Sequence, residues 1–213
     1  MENDTPHSFR NRYHLFLSVG FHLSPNQIPS FFPLLQKGFV VQARVGVSVQ
    51  AFLCDHFGLS PEYLRDRVKT IFLDGKSVDD LAETRILDGS RLALSAALPG
   101  LAGAILRRGS PFAKLRSPVA EGEKDPASRP EEGSVFLKLF NLLLPELGPL
   151  FLRKGILVPR KDFLEFWRQL SEETWRAWGK VRVNGKGSEI HSLGNLLQSD
   201  PSPWILLEVQ EKN

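Results

Sequence analysis

The chain has little of what staples small secreted domains and none of what crosses membranes. Of its 213 residues only Cys54 is a cysteine, so no internal disulfide can form and the redox reading is cytoplasmic. Its longest loosely apolar stretches, 95–106 and 137–152, are interrupted by Pro99 in the first and by Lys138, Asn141, Pro145, Glu146 and Pro149 in the second. Neither offers the roughly 20 apolar residues of a membrane helix, so integral membrane association is not expected. The first residues, MENDTPHSFRN, are polar and lack the apolar core of a signal peptide. Charge is nearly balanced, 27 basic against 24 acidic residues, which argues against a nucleic-acid partner. The five histidines (His7, His14, His22, His56 and His191) form no i, i+4 pair and have no cysteine companion, so neither a metal nor another cofactor is expected. Tryptophan is missing from the first half; Trp167, Trp175, Trp178 and Trp204 all fall in the second.

What remains is ordinary globular composition, 42% apolar and 24% charged, with one sharp break. Residues 118–133, PVAEGEKDPASRPEEG, hold three prolines, two glycines, five acids and two bases, with Val119 the only bulky apolar side chain. Such a stretch cannot bury enough surface to offset its ordering entropy and reads as a flexible linker. The expected organisation is a first domain over 10–100, a basic-apolar segment and linker over 101–133, and a second domain over 134–213.

The two halves look alike. Each opens on an apolar stretch, YHLFLSVGFHL (13–23) and SVFLKLFNLLL (134–144). Each then takes a lysine-glycine step into a strand, at Lys37-Gly38 and Lys154-Gly155. An amphipathic helix follows. Ser48 is placed to cap the first, with Val49, Phe52, Leu53 and Phe57 on one face; Phe163, Phe166, Trp167 and Leu170 do the same in the second. Trp167 is expected in the core, and Trp175 and Trp178 share a helix face with one of them exposed. Next come strands that turn at Asp74-Gly75 and Asn184-Gly185, pairs suited to a type I′ turn. Each half closes on a strand, 90–98 and 203–210. The predicted order, twice over, is strand, strand, helix, strand, irregular segment, strand.

That order resembles the ubiquitin-like β-grasp fold, which makes the expected class α+β with two tandem ubiquitin-like β-grasp domains joined by a flexible linker. Residues 36–104 resemble the small sulfur carriers, namely the molybdopterin synthase small subunit and the thiazole-pathway carrier. The likeness rests on the Asp74-Gly75-Lys76 turn, the Leu87-Asp88-Gly89-Ser90 turn, the last strand Leu92-Ala93-Leu94 and the tail Leu101-Ala102-Gly103-Ala104. It implies a tail whose terminal carboxylate is activated. Here Gly103-Ala104 stands where those carriers have Gly-Gly, and the polypeptide continues. Gly100 and Gly103 match no phosphate loop, and they loosen the chain after a strand.

After that tail, Arg107, Arg108, Lys114 and Arg116 surround Leu106, Phe112 and Leu115 with no acid among them. Positive charge beside apolar side chains suits an acidic protein surface, a phosphate-bearing ligand or an anionic membrane surface. The sequence therefore reads as a non-catalytic protein-interaction module whose partner-binding residues are Leu101, Arg107, Arg108, Phe112 and Arg116. The alternative is a sulfur carrier released by proteolysis after the Leu-Ala-Gly tail. No acid, base and nucleophile set supports an enzyme. Cys54 reads as a packing residue, because His56 lies about 200° around the helix from it.

Overall fold

The computed structural model describes residues 15–96, 100, 105, 108 and 130–212. The protein is α+β. In chain order its strands are β1 (Phe16–Leu23), β2 (Phe39–Val45), β3 (Val47–Ser48), β4 (Thr70–Leu73), β5 (Lys76–Ser77) and β6 (Arg85–Ile86). There follow β7 (Arg91–Ser95), β8 (Glu131–Phe140), β9 (Ile156–Pro159), β10 (Lys180–Val183), β11 (Lys186–Glu189) and β12 (Trp204–Glu211). Its α-helices are α1 (Phe32–Gln36), α2 (Val49–Ala51), α3 (Pro61–Asp66), α4 (Leu143–Lys154), α5 (Arg160–Gln169), α6 (Glu172–Trp178) and α7 (Leu193–Ser199).

Two compact units share these elements. The described part of unit 1 lies within 41–144, and that of unit 2 within 15–40 and 145–212.

In unit 1 the neighbouring strands run β2, β8, β7, β4, β5. The central pair is parallel, from Arg91 opposite Phe136 to Ser95 opposite Phe140. β4 is antiparallel to β7 and turns into β5 through Asp74 (φ 51°) and Gly75 (φ 82°), the two positive φ values expected of that pair. Strand alternation sends Ile71, Leu73, Leu92, Leu94, Val135, Leu137 and Leu139 inward, where all are buried. The expected cap is present: Ser48 Oγ accepts the Ala51 N–H at 3.1 Å. After α2 the helix widens into a π turn over Phe52–His56, and Val49, Phe52, Leu53 and Phe57 are buried as their spacing predicts.

In unit 2 the neighbouring strands run β11, β10, β1, β12, β9. β1 and β12 are parallel over their whole length, Phe16 opposite Trp204 through Leu23 opposite Glu211. β10 and β11 form a hairpin through Asn184 (φ 47°) and Gly185 (φ 76°), again as expected. The core is aromatic. Phe31 stacks on Trp178 with ring centroids 4.9 Å apart, and Phe21 meets the same indole edge-on at 5.1 Å. Phe166 closes on Phe31 at 5.3 Å. Trp178, not Trp167, is the fully buried indole; Trp167 is half-buried beside it at 6.1 Å.

The units do not follow the expected ranges 10–100 and 134–213. β1 belongs with residues 145–212, and β8 belongs with residues 41–96. Each half's opening strand serves the other half's sheet. The physical reason is that both opening stretches are apolar and alternating, so either can fill the place beside a parallel partner. The sequence-defined linker also ends early. Glu131–Gly133 open β8, and Ser134 N–H donates to Asp88 Oδ1 at 2.8 Å. Residues 118–129 lie outside the described residues.

Candidate functional site

The outward face of the unit 1 sheet is where side chains gather without being absorbed into the core. Because β7 and β8 are parallel and in register, their outward residues line up in rows. Arg91 faces Phe136, Ala93 faces Lys138, and Ser95 faces Phe140. β4 extends two of these rows, with Phe72 opposite Ala93 and Thr70 opposite Ser95. Ala93 is the small member at the centre, flanked by Phe72 and Lys138. The result is a groove of about 290 Å³ whose walls include Phe72, Phe136 and Phe140, with Ala93 among the residues between them.

Two cations border it. The Arg91 guanidinium carbon lies 4.6 Å from the Phe136 ring centroid, and Lys138 Nζ lies 5.5 Å from that of Phe140. Both are within reach of cation–π attraction. Among the described residues no carboxylate lines the groove. Phe140 keeps 38% of its surface exposed, which is unusual for a large apolar side chain beside an apolar depression. Asp74 holds the open end of β7 in place: its Oδ1 accepts the Arg91 N–H at 2.7 Å.

The sequence-predicted docking residues fare differently. Leu101, Gly103, Arg107, Phe112 and Arg116 lie outside the described residues. Gly100 is described at φ 71°, with open space where a Cβ would stand. Arg108 is half-buried, and its guanidinium donates to the carbonyl oxygens of Leu64 and Val68. Its own N–H donates to Lys69 O at 2.9 Å. Burial pulls its pKa below the ordinary arginine value, with Asp79 opposing. Those carbonyls belong to the end of α3 and the loop before β4, so Arg108 is tied into its own unit.

Cys54 is half-buried; burial first, then the Asp55 and Glu62 carboxylates, push its thiol up and away from the nucleophilic thiolate. His56 stacks on Phe52 and meets Phe57 edge-on. Among the described residues no group of three His, Cys, Asp or Glu side chains could hold a metal, and no helix is long and apolar enough to cross a membrane.

Sequence reasoning passed over Phe136, Lys138 and Phe140. The signal was present: in SVFLKLF the face of Val135, Leu137 and Leu139 is enough for a core, and the other face still carries Phe136 and Phe140 beside Lys138. No protein-family model, curated protein or solved structure matches the chain.

Proposed function

We propose that the chain is a non-catalytic protein-interaction module of β-grasp type, docking a partner on the outward face of the unit 1 sheet. The occupant is a segment of another protein that presents apolar side chains flanked by carboxylates. One observation carries this reading: an apolar groove on a sheet face, bordered by Arg91 and Lys138 and, among the described residues, lined by no acid. Charge complementarity steers and selects such a partner, while the aromatic walls supply the desolvated contact.

The chain's own candidates fit the groove poorly. The segment 105–116 carries four positive charges and would meet two more. The acidic stretch 118–133 has the right charge but only Val119 to bury. A partner of opposite charge with larger apolar side chains is the better match.

The β-grasp assignment is supported by the elements of each unit. Unit 1 holds β8, β2, the helical turn 49–57, β4 and β7, a set of the same kind in which β8 stands where the sequence pattern places the stretch 13–23. Unit 2 holds β1, β9, α5 with α6, β10 and β12. The sulfur-carrier reading has less support. Cleavage after Gly103 would sever β7 from β8, its parallel partner over five residue pairs.

The test is selection of a random peptide display library on the full-length chain. The expected winners place Asp or Glu beside Leu, Phe or Trp, and they lose at least about ten-fold in affinity for an Arg91→Glu, Ala93→Trp variant that keeps its fold. Winners without that bias, or winners that bind the variant equally well, would remove the proposal.

A further inference from the structure

Unit 2 carries a second concave surface of a different chemical character. On β1, Val19, Phe21 and Leu23 are buried, so Ser18, Gly20 and His22 take the opposite face. The antiparallel register sets Gly20 opposite Arg182 and Phe21 opposite Val181. Arg182 and Lys180 therefore share the outward face with Gly20 and His22. Lys212 joins them at the end of β12, its N–H donating to Leu23 O at 2.8 Å.

Together these residues border a cleft of about 410 Å³. Three features give it a preference. First, Lys180, Arg182 and Lys212 converge on it, and among the described residues none of the three is in an ion pair. Glu208 and Glu189 hold the register positions beside Gly20 and Lys180, but neither lines the cleft. Second, Gly20, Gly179 and Gly187 leave its backbone uncovered, with open space where a Cβ would stand at the latter two. Third, Trp178 lines it from the core side, where its indole packs on Phe21 and Phe31.

A guanidinium offers a planar fork to two oxygens of a tetrahedral oxyanion, and two ammonium groups add point charge. A volume of this size suits a small molecule better than an isolated ion. We propose that the cleft binds the phosphoryl group of a phosphorylated small molecule or headgroup, with Arg182 as the fork and Lys180 and Lys212 as the flanking charges. The site is independent of the unit 1 groove and of the docking function proposed for it.

The probe is inorganic pyrophosphate, titrated into the full-length chain and followed by backbone amide shifts and tryptophan fluorescence. The expected result is a saturable one-to-one curve with Kd at or below about 1 mM. The largest shifts should fall on Gly20, Gly179 and Lys180. The exposed double variant Lys180→Gln, Arg182→Gln should weaken binding at least about ten-fold, while Lys76→Gln in unit 1 leaves it unchanged. Vesicles containing phosphatidic acid separate the two sources. Vesicle binding that pyrophosphate displaces assigns a lipid headgroup; pyrophosphate binding without vesicle binding assigns a soluble ligand. Shifts spread over the lysines and arginines of both units, no saturation, or equal binding by the double variant would each overturn the site.

Discussion

Arg91 stands over the ring of Phe136, its register partner across the parallel β7–β8 pair, with 4.6 Å between guanidinium carbon and centroid. The contact is exposed on the arginine side, so its strength is about 0.5–1 kcal/mol. A double-mutant cycle of Arg91→Ala with Phe136→Leu should return a coupling of that size in urea denaturation. Zero coupling would mean that the Phe136 ring does not hold the guanidinium and that the groove has no fixed cationic edge at Arg91.

Gly133 sits where a side chain has no room. A Cβ there would come within 2.6 Å of Val45 Cγ2 and 3.0 Å of Asp88 Oδ1. Val45 is buried and stiff at χ1, and Asp88 is engaged with Ser134 N–H, so neither yields easily. Gly133→Ala should cost about 1–3 kcal/mol. Gly187→Ala, where nothing lies within 4 Å of the added atom, should stay within about 0.5 kcal/mol of the parent. Chemical denaturation of the two variants side by side decides the matter.

Arg108 holds the carbonyl oxygens of Leu64 and Val68. Truncation to alanine removes a charged donor from both acceptors and should destabilise by about 1.5–3 kcal/mol, with Arg108→Lys recovering part of the loss. Thermal melting of the two variants is the measurement. A melting point unchanged in Arg108→Ala would return this residue to the docking surface that the sequence alone suggested.

The interleaved units predict the behaviour of a nicked chain. A protease site inserted after Gly122 would give two fragments. The first would carry β1, which belongs with 145–212, and the second would carry β8, which belongs with 41–96. The two pieces should stay together through gel filtration and separate only in denaturant. Two consecutive domains on a tether would instead elute as independent fragments.

Much of the fold was legible locally. Asp74-Gly75 and Asn184-Gly185 announce their turns, because few residue pairs accept positive φ at both positions. Ser48 announces a helix start, and the spacing of Val49, Phe52, Leu53 and Phe57 announces its buried face. The site was less legible. Arg107 and Arg108 are neighbours of like charge in the sequence, and only the fold shows that Arg108 spends its donors on Leu64 and Val68. Phe136 and Phe140 lie in a stretch with apolar residues on both sides of each, and nothing local marks which of them the core takes. Alternation within β8 then turns Val135, Leu137 and Leu139 inward and leaves these two rings on the other face.

The sequence by itself determined the class, the turns, the helix starts and the alternation of each strand, since each depends on residues within a few positions of one another. Only the tertiary structure decided which sheet each opening strand joins, and therefore which outward side chains meet. Phe16–Leu23 and Glu131–Phe140 carry equivalent local patterns, and each strand's partner is chosen by packing and hydrogen bonding with chain far away in sequence, Trp204 for Phe16 and Arg91 for Phe136. That choice brings Gly20 beside Arg182, a relationship set by long-range pairing, for which the local pattern holds no signal.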